Sequence, residues 1–269
     1  MSKTINGCVA INDTEMYYVS FGSGPKNLIV LPGLVDGLAT VKGKAFILSA
    51  PYKKYLKDYT VYMFSRKNKM PEGYTLRQMA EDQVRALKSL GIEKTSVLGV
   101  SQGGIISQYI AIDHPETVEK LILTVTTPNA NDTVKKAVGS WIEMAHKDDH
   151  ISLMVDTAEK TYSKTYYDKN RKLFPLLARF TKPKSYERFL RNAEALLDFD
   201  TRPELSKISC PTLILAGDDD HIVGNDAPHI FSEMIKDNEV FIYKGQGHGL
   251  YEETKDFYDR VFAFLYRSL

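Results

Sequence analysis

Cysteine is scarce in this sequence. Its two residues, Cys8 and Cys210, lie far apart in the chain and cannot form a disulfide framework. Both fall in strand-like segments and are expected to be buried as small hydrophobes. Long apolar runs are missing too: no stretch approaches the roughly 20 residues that a membrane-spanning helix needs. The opening residues, MSKTINGCVAINDTEMYYV, hold no apolar run long enough for a signal peptide, because NDTE interrupts it. Neither charge is in surplus, with 35 Lys and Arg against 34 Asp and Glu. That balance removes the electrostatic argument for a nucleic-acid or membrane partner. Internal repeats and low-complexity tracts are absent. The expectation is a cytoplasmic globular protein, and its 269 residues suffice for a large core in one or two domains.

What is present alternates. The runs NLIVL (27–31), YTVYMF (59–64), TSVLGV (95–100), EKLILTV (119–125), PTLILAG (211–217) and NEVFIY (238–243) are short and rich in β-branched or aromatic residues. They read as strands buried on both faces. Helical patterns lie between several of them, for example TLRQMAEDQVRALKSLG and the closing ETKDFYDRVFAFLYRSL. Strands alternating with helices predict a mostly parallel sheet with helices on both faces. GCVAI and EMYYVSFG, split by NDT, predict an antiparallel hairpin at one edge.

From Pro128 to about Arg202 the alternation stops. Four helical runs follow one another there: DTVKKAVGSWIEMAHK, ISLMVDTAEKTYSKTYY, RKLFPLLARF and SYERFLRNAEALLDF. This predicts a core over residues 1–127 and 203–269, interrupted by a helical insertion over 128–202. The insertion carries 14 Lys and Arg against 11 Asp and Glu, a mixed charge, so it is no polybasic arm.

Ser101 stands in Gly99-Val100-Ser101-Gln102-Gly103, between an apolar strand and an apolar helix. A serine held in a strained turn at a strand tip brings the residues two before and two after it close together. Gly99 and Gly103 have no Cβ to collide there, and the helix that follows aims its N-terminus at the serine. A serine hydroxyl needs a base to become a nucleophile. Of the six histidines, His114 reads as a helix cap, His229 as structural and His221 as the partner of an acidic run. His146 and His150 lie four apart but lack a further ligand, so they read as a solvated face and no metal site is expected. His248 remains, in the glycine-flanked loop GQGHG just past the last strand. An acid to orient it can come from Asp218, Asp219 or Asp220, which follow a strand directly.

VLGVSQGGIISQYIAIDHPETVEKLIL, PTLILAGDDDHIVG, GQGHG and LIVLPGLVDG together resemble the α/β-hydrolase fold superfamily, in particular its capped serine esterases and lipases. The chain order Ser, Asp, His matches that family. The resemblance implies an α/β fold with a cap inserted after the sixth strand. It also implies Asp220, three past Gly217, as the acid. It further implies an oxyanion hole from the backbone N–H groups of Gln102 and Leu34. Many relatives carry His-Gly where this chain has Pro32-Gly33. Trp141, Tyr162 and Tyr166 of the insertion are expected among the pocket aromatics. The implied chemistry is acyl transfer from a small-molecule ester to water, with no cofactor. On the same fold a C–C bond hydrolase, thioesterase, aminopeptidase, haloperoxidase-like enzyme or non-enzymatic receptor is the alternative.

Overall fold

The computed structural model describes residues 4–267. Eight strands form one sheet: β1 (Thr4–Ile11), β2 (Thr14–Gly22), β3 (Lys26–Leu31), β4 (Tyr59–Phe64), β5 (Thr95–Val100), β6 (Val118–Thr124), β7 (Thr212–Gly217) and β8 (Asn238–Tyr243). Their spatial order is β1-β2-β4-β3-β5-β6-β7-β8, with β1 and β2 antiparallel and β3 to β8 parallel to one another. The order turns back on itself at β3, which pairs with both β4 and β5. Crevices at the carboxyl ends of strands open at such a reversal, which places a site between the loops after β3 and β5.

The helices are α1 (Ala45–Leu48), α2 (Leu76–Ser89), α3 (Gln102–Asp113), α4 (Asp132–His146), α5 (His150–Thr161) and α6 (Lys164–Asn170). They continue with α7 (Leu173–Thr181), α8 (Glu187–Glu194), α9 (Ala227–Met234), α10 (Leu250–Glu253) and α11 (Phe257–Tyr266). Successive strand residues supply opposite cores, as a period of two requires. Ile29 and Leu31 of β3 face the core that holds Leu76, Leu87 and Ile106, whereas Leu28 and Val30 face Phe257, Val261 and Leu265. Each layer of helices thus covers one side of the sheet. Thr75 and Gln78 form a reciprocal capping box that fixes the start of α2.

Helices α4 to α8 lie between β6 and β7, the helical insertion after the sixth strand. Its neck is pinned: the Thr201 N–H donates to the Pro128 carbonyl at 2.8 Å, and the Thr201 hydroxyl reaches Gln108 Oε1 of α3 at 2.6 Å. ISLMVDTAEKTYSKTYY, expected to run as one helix, is broken after Thr161, because the Ser163 hydroxyl accepts the Tyr166 N–H and starts α6 as a separate element. Two further expectations fail on burial. Cys8 is exposed, since β1 is an edge strand and turns Val9 and Ile11 inward instead. Cys210 is buried as expected, and burial pushes its thiol up to about 11, but it precedes β7 instead of lying in a strand. His150 is buried, its Nε2 3.2 Å from the Thr181 hydroxyl, so only His146 of that pair faces solvent. Among the described residues no helix is long and apolar enough to cross a membrane.

Candidate active site

Ser101 sits at the tip of β5, directly before α3, with φ 55° and ψ −121°. Left-handed φ is rare for a residue with a Cβ, and holding one there costs on the order of 1–3 kcal/mol. The surroundings enforce it. The Ser101 N–H donates to the Thr124 carbonyl at 2.9 Å, and its own carbonyl accepts from the Gly104 N–H and the Thr126 hydroxyl, each at 2.8 Å. Tight packing explains the flanking glycines. A Cβ on Gly99 would collide with Ser107 and the main chain of Gly104, and one on Gly103 would run into the Leu31 carbonyl.

His248 lies just before α10, and its Nδ1 is 2.8 Å from Asp220 Oδ2. An ionised carboxylate only accepts, so Nδ1 carries the proton and Nε2 is left as the acceptor. The other carboxylate oxygen, Oδ1, accepts the Ile222 and Val223 N–H groups at 2.9 and 3.0 Å. Asp220 is 4% exposed and His248 6%, so the pair is shielded from bulk water. The cap supplies part of that cover, a burial not expected of a glycine-flanked loop: the Gly249 N–H donates to the Thr161 carbonyl at 2.6 Å. Ser163 adds a second tie, its N–H and hydroxyl reaching the two oxygens of Glu253 at 2.9 and 2.5 Å. Asp218 instead accepts the Gly245 N–H, and Asp219 pairs with His221 at 3.2 Å, both exposed.

Ser101 and His248 line one cavity of about 110 Å³. Its walls are mainly apolar and include Leu38, Trp141, Leu153, Met154, Phe189 and Ile222. Leu34 also lines it, at the start of a short 3-10 helix over Leu34–Gly37, while Gln102 opens α3. First residues of helices have no intrahelical acceptor. Among the described residues neither the Leu34 nor the Gln102 main-chain N–H has a protein acceptor, which leaves both as free donors.

Of the aromatics expected in the pocket, Trp141 lines it and Tyr162 and Tyr166 do not. The helix break at Ser163 turns those two away. Tyr162 donates to Glu252 at 2.7 Å and packs on Tyr166 and Phe174, facing a separate polar groove of about 1030 Å³. The cavity takes Leu153, Met154, Thr157 and Thr161 of α5 instead. Their spacing is that of one helix face, a signal present in the sequence once the correct end of α5 is known.

A buried charge network behind the Leu34 loop was also not anticipated. Asp36 Oδ2 accepts from the Arg66 N–H at 2.9 Å and from Arg188 Nη2 of α8 at 2.6 Å. Arg66 Nη2 donates to the Pro32 carbonyl at 2.6 Å and to Gln102 Oε1 at 3.0 Å. Thus Arg66 grips both the loop after β3 and the residue after Ser101. Burial lowers its guanidinium to about 10, with Asp36 opposing the shift, so it stays charged at neutral pH. Pro32 enters this network through its backbone carbonyl.

A sheet of this order, with a strained serine at the crevice end of its fifth strand, is the architecture of the α/β hydrolases. The chain belongs to the alpha/beta hydrolase fold family, whose pattern matches residues 58–254, and it is a hydrolase of that family. It is 30% identical over 194 residues to the AB hydrolase superfamily protein YisY of Bacillus subtilis, covering 69% of this chain and 71% of that one. It is 24% identical to the human serine hydrolase BPHL, covering 94% of this chain and 83% of the relative. Among solved structures it is similar to MGS-M2, an α/β hydrolase from a Medee basin deep-sea metagenome library, with a TM-score of 0.87, 20% identity and 98% of each chain covered.

Proposed function

We propose that this chain is a cytoplasmic serine hydrolase that cleaves carboxylic esters of small or medium acyl groups through an acyl-enzyme on Ser101. The observation that carries this reading is the buried Asp220–His248 hydrogen bond, set against the same small cavity as a strained serine. His248 Nε2 takes the Ser101 proton as Oγ attacks the acyl carbonyl carbon, and Asp220 stabilises the imidazolium that forms. The N–H groups of Leu34 and Gln102 hold the negative charge of the tetrahedral oxygen, which the N-terminus of α3 also favours. The tetrahedral intermediate collapses, the alcohol leaves with the proton from His248, and the acyl group stays on Oγ. Water then attacks the acyl carbon, giving a proton to His248, which passes it to Oγ as the C–Oγ bond breaks and the acid departs.

Acyl size follows from the walls: a narrow apolar cavity between Trp141, Leu153, Met154 and Phe189 holds a short chain and offers no ion pair for a charged one. The test is labelling with a fluorophosphonate probe, followed by kinetics on p-nitrophenyl esters of graded length with thioesters and aminoacyl amides alongside. Ser101 should be the labelled residue and short esters the best substrates. An unlabelled protein would mean a non-enzymatic binding role, and faster turnover of thioesters or amides would replace the ester assignment.

A further inference from the structure

Helix α7 is inverted. Its inner face packs with Phe174 stacked on Tyr167 and with Ala178 buried, while Leu173, Leu176, Leu177 and Phe180 point to solvent. Those four occupy positions i, i+3, i+4 and i+7, the spacing of one helix face, and they are 45%, 50%, 47% and 82% exposed. An ordinary surface helix buries such a stripe. This one displays it.

The charge around the stripe is one-sided. Residues 169–186 contain Lys169, Arg171, Lys172, Arg179, Lys182 and Lys184 and no acidic residue. The near-neutral total of the chain is therefore the sum of this cationic segment and a net acidic remainder. Of the six cations only Lys182 is in an ion pair, with Asp148 at 2.5 Å, among the described residues. An exposed apolar helix face flanked by cations fits an interface with hydrocarbon below and negative charge at its surface. A second copy of this chain would set the same cations against one another, which disfavours self-association through this face.

We propose that α7 and its basic flanks dock this protein on an anionic lipid surface, with the apolar stripe at the acyl boundary and the cations among the headgroups. The cytoplasmic face of a membrane carries the negative potential this needs. Helix α7 packs on α5, which forms one wall of the Ser101 cavity, so docking presents the cap side of the site to the lipid. The proposal stands whatever bond Ser101 cleaves, since its readout is binding.

The experiment is flotation of the full chain with vesicles of phosphatidylcholine alone and of phosphatidylcholine mixed with phosphatidylglycerol. The wild type should float with the mixed vesicles only, and less so as salt is raised. Leu176→Glu combined with Phe180→Glu should abolish flotation. Lys172→Gln combined with Arg179→Gln leaves the stripe intact and should weaken binding about thirtyfold. Both variants should keep the wild-type circular dichroism and hydrolyse a water-soluble ester at the wild-type rate. No flotation with anionic vesicles would overturn the proposal and leave the face to an acidic protein. Equal flotation with both vesicle types, or dimerisation that the Glu variants abolish, would overturn it too.

Discussion

The main-chain carbonyl of Asn192, in the cap helix α8, accepts a hydrogen bond from the side-chain amide of Gln102, the residue after the serine, at 2.8 Å. With Arg188 of the same helix bound to Asp36, the cap holds the side of the site that carries Leu34 and Gln102. Through Thr161 and Ser163 it holds the histidine side as well. A cap joined to both sides of the proposed site should support its chemistry, and removing it should slow every ester in a graded series together. Selective changes in ester ratios, with the best rate preserved, would show that it is only a lid.

Arg188→Met leaves the buried Asp36 carboxylate without its side-chain partner. Breaking such a pair from one side costs about 3 kcal/mol or more. Loosening of the Leu34 loop should appear as a fall in kcat with KM little changed, because the donors act most in the transition state. Urea denaturation and steady-state kinetics check both parts. A double-mutant cycle with Asp36→Asn should show strong coupling, and additive effects would dissolve the network.

Asp220→Asn should lower turnover about 10⁴-fold by favouring the wrong imidazole tautomer. Asp218→Asn and Asp219→Asn should stay near the wild type, as their carboxylates face a turn and His221. Normal kinetics for Asp220→Asn would remove that residue from the mechanism.

Ser101→Ala and Ser101→Gly should both lose about 10³-fold or more of the activity. Their stabilities should differ. Alanine keeps a Cβ at φ 55°, whereas glycine releases that strain, so the glycine variant should be more stable by about 1 kcal/mol. Equal denaturation midpoints would mean the elbow is not strained.

Met154→Ala should widen the cavity and shift preference toward longer acyl chains, while Tyr166→Ala should leave the chain-length profile unchanged. A profile moved by Tyr166→Ala would return that ring to the pocket.

Several elements of the fold are written down by local chemistry along the chain. Short β-branched runs made the strands, the Thr75–Gln78 box started α2, and the glycines around Ser101 marked a turn that no bulkier residue could form. Ser101 and His248 stood out as candidates because each follows a strand in a glycine-flanked segment. The family spacing singled out Asp220, and only the fold showed it against His248. Other features depend on which distant residues the fold brings together. Residues Asp36, Arg66, Arg188 and Asn192 are scattered through the chain, and each alone reads as an ordinary polar residue. Their meaning comes from burial, which removes water and leaves one another as partners. The choice of pocket walls followed from the break after Thr161, which leaves Leu153, Met154, Thr157 and Thr161 of α5 on the cavity and Tyr162 and Tyr166 off it. Side-chain periodicity gives which residues share a face; only packing decides what that face meets.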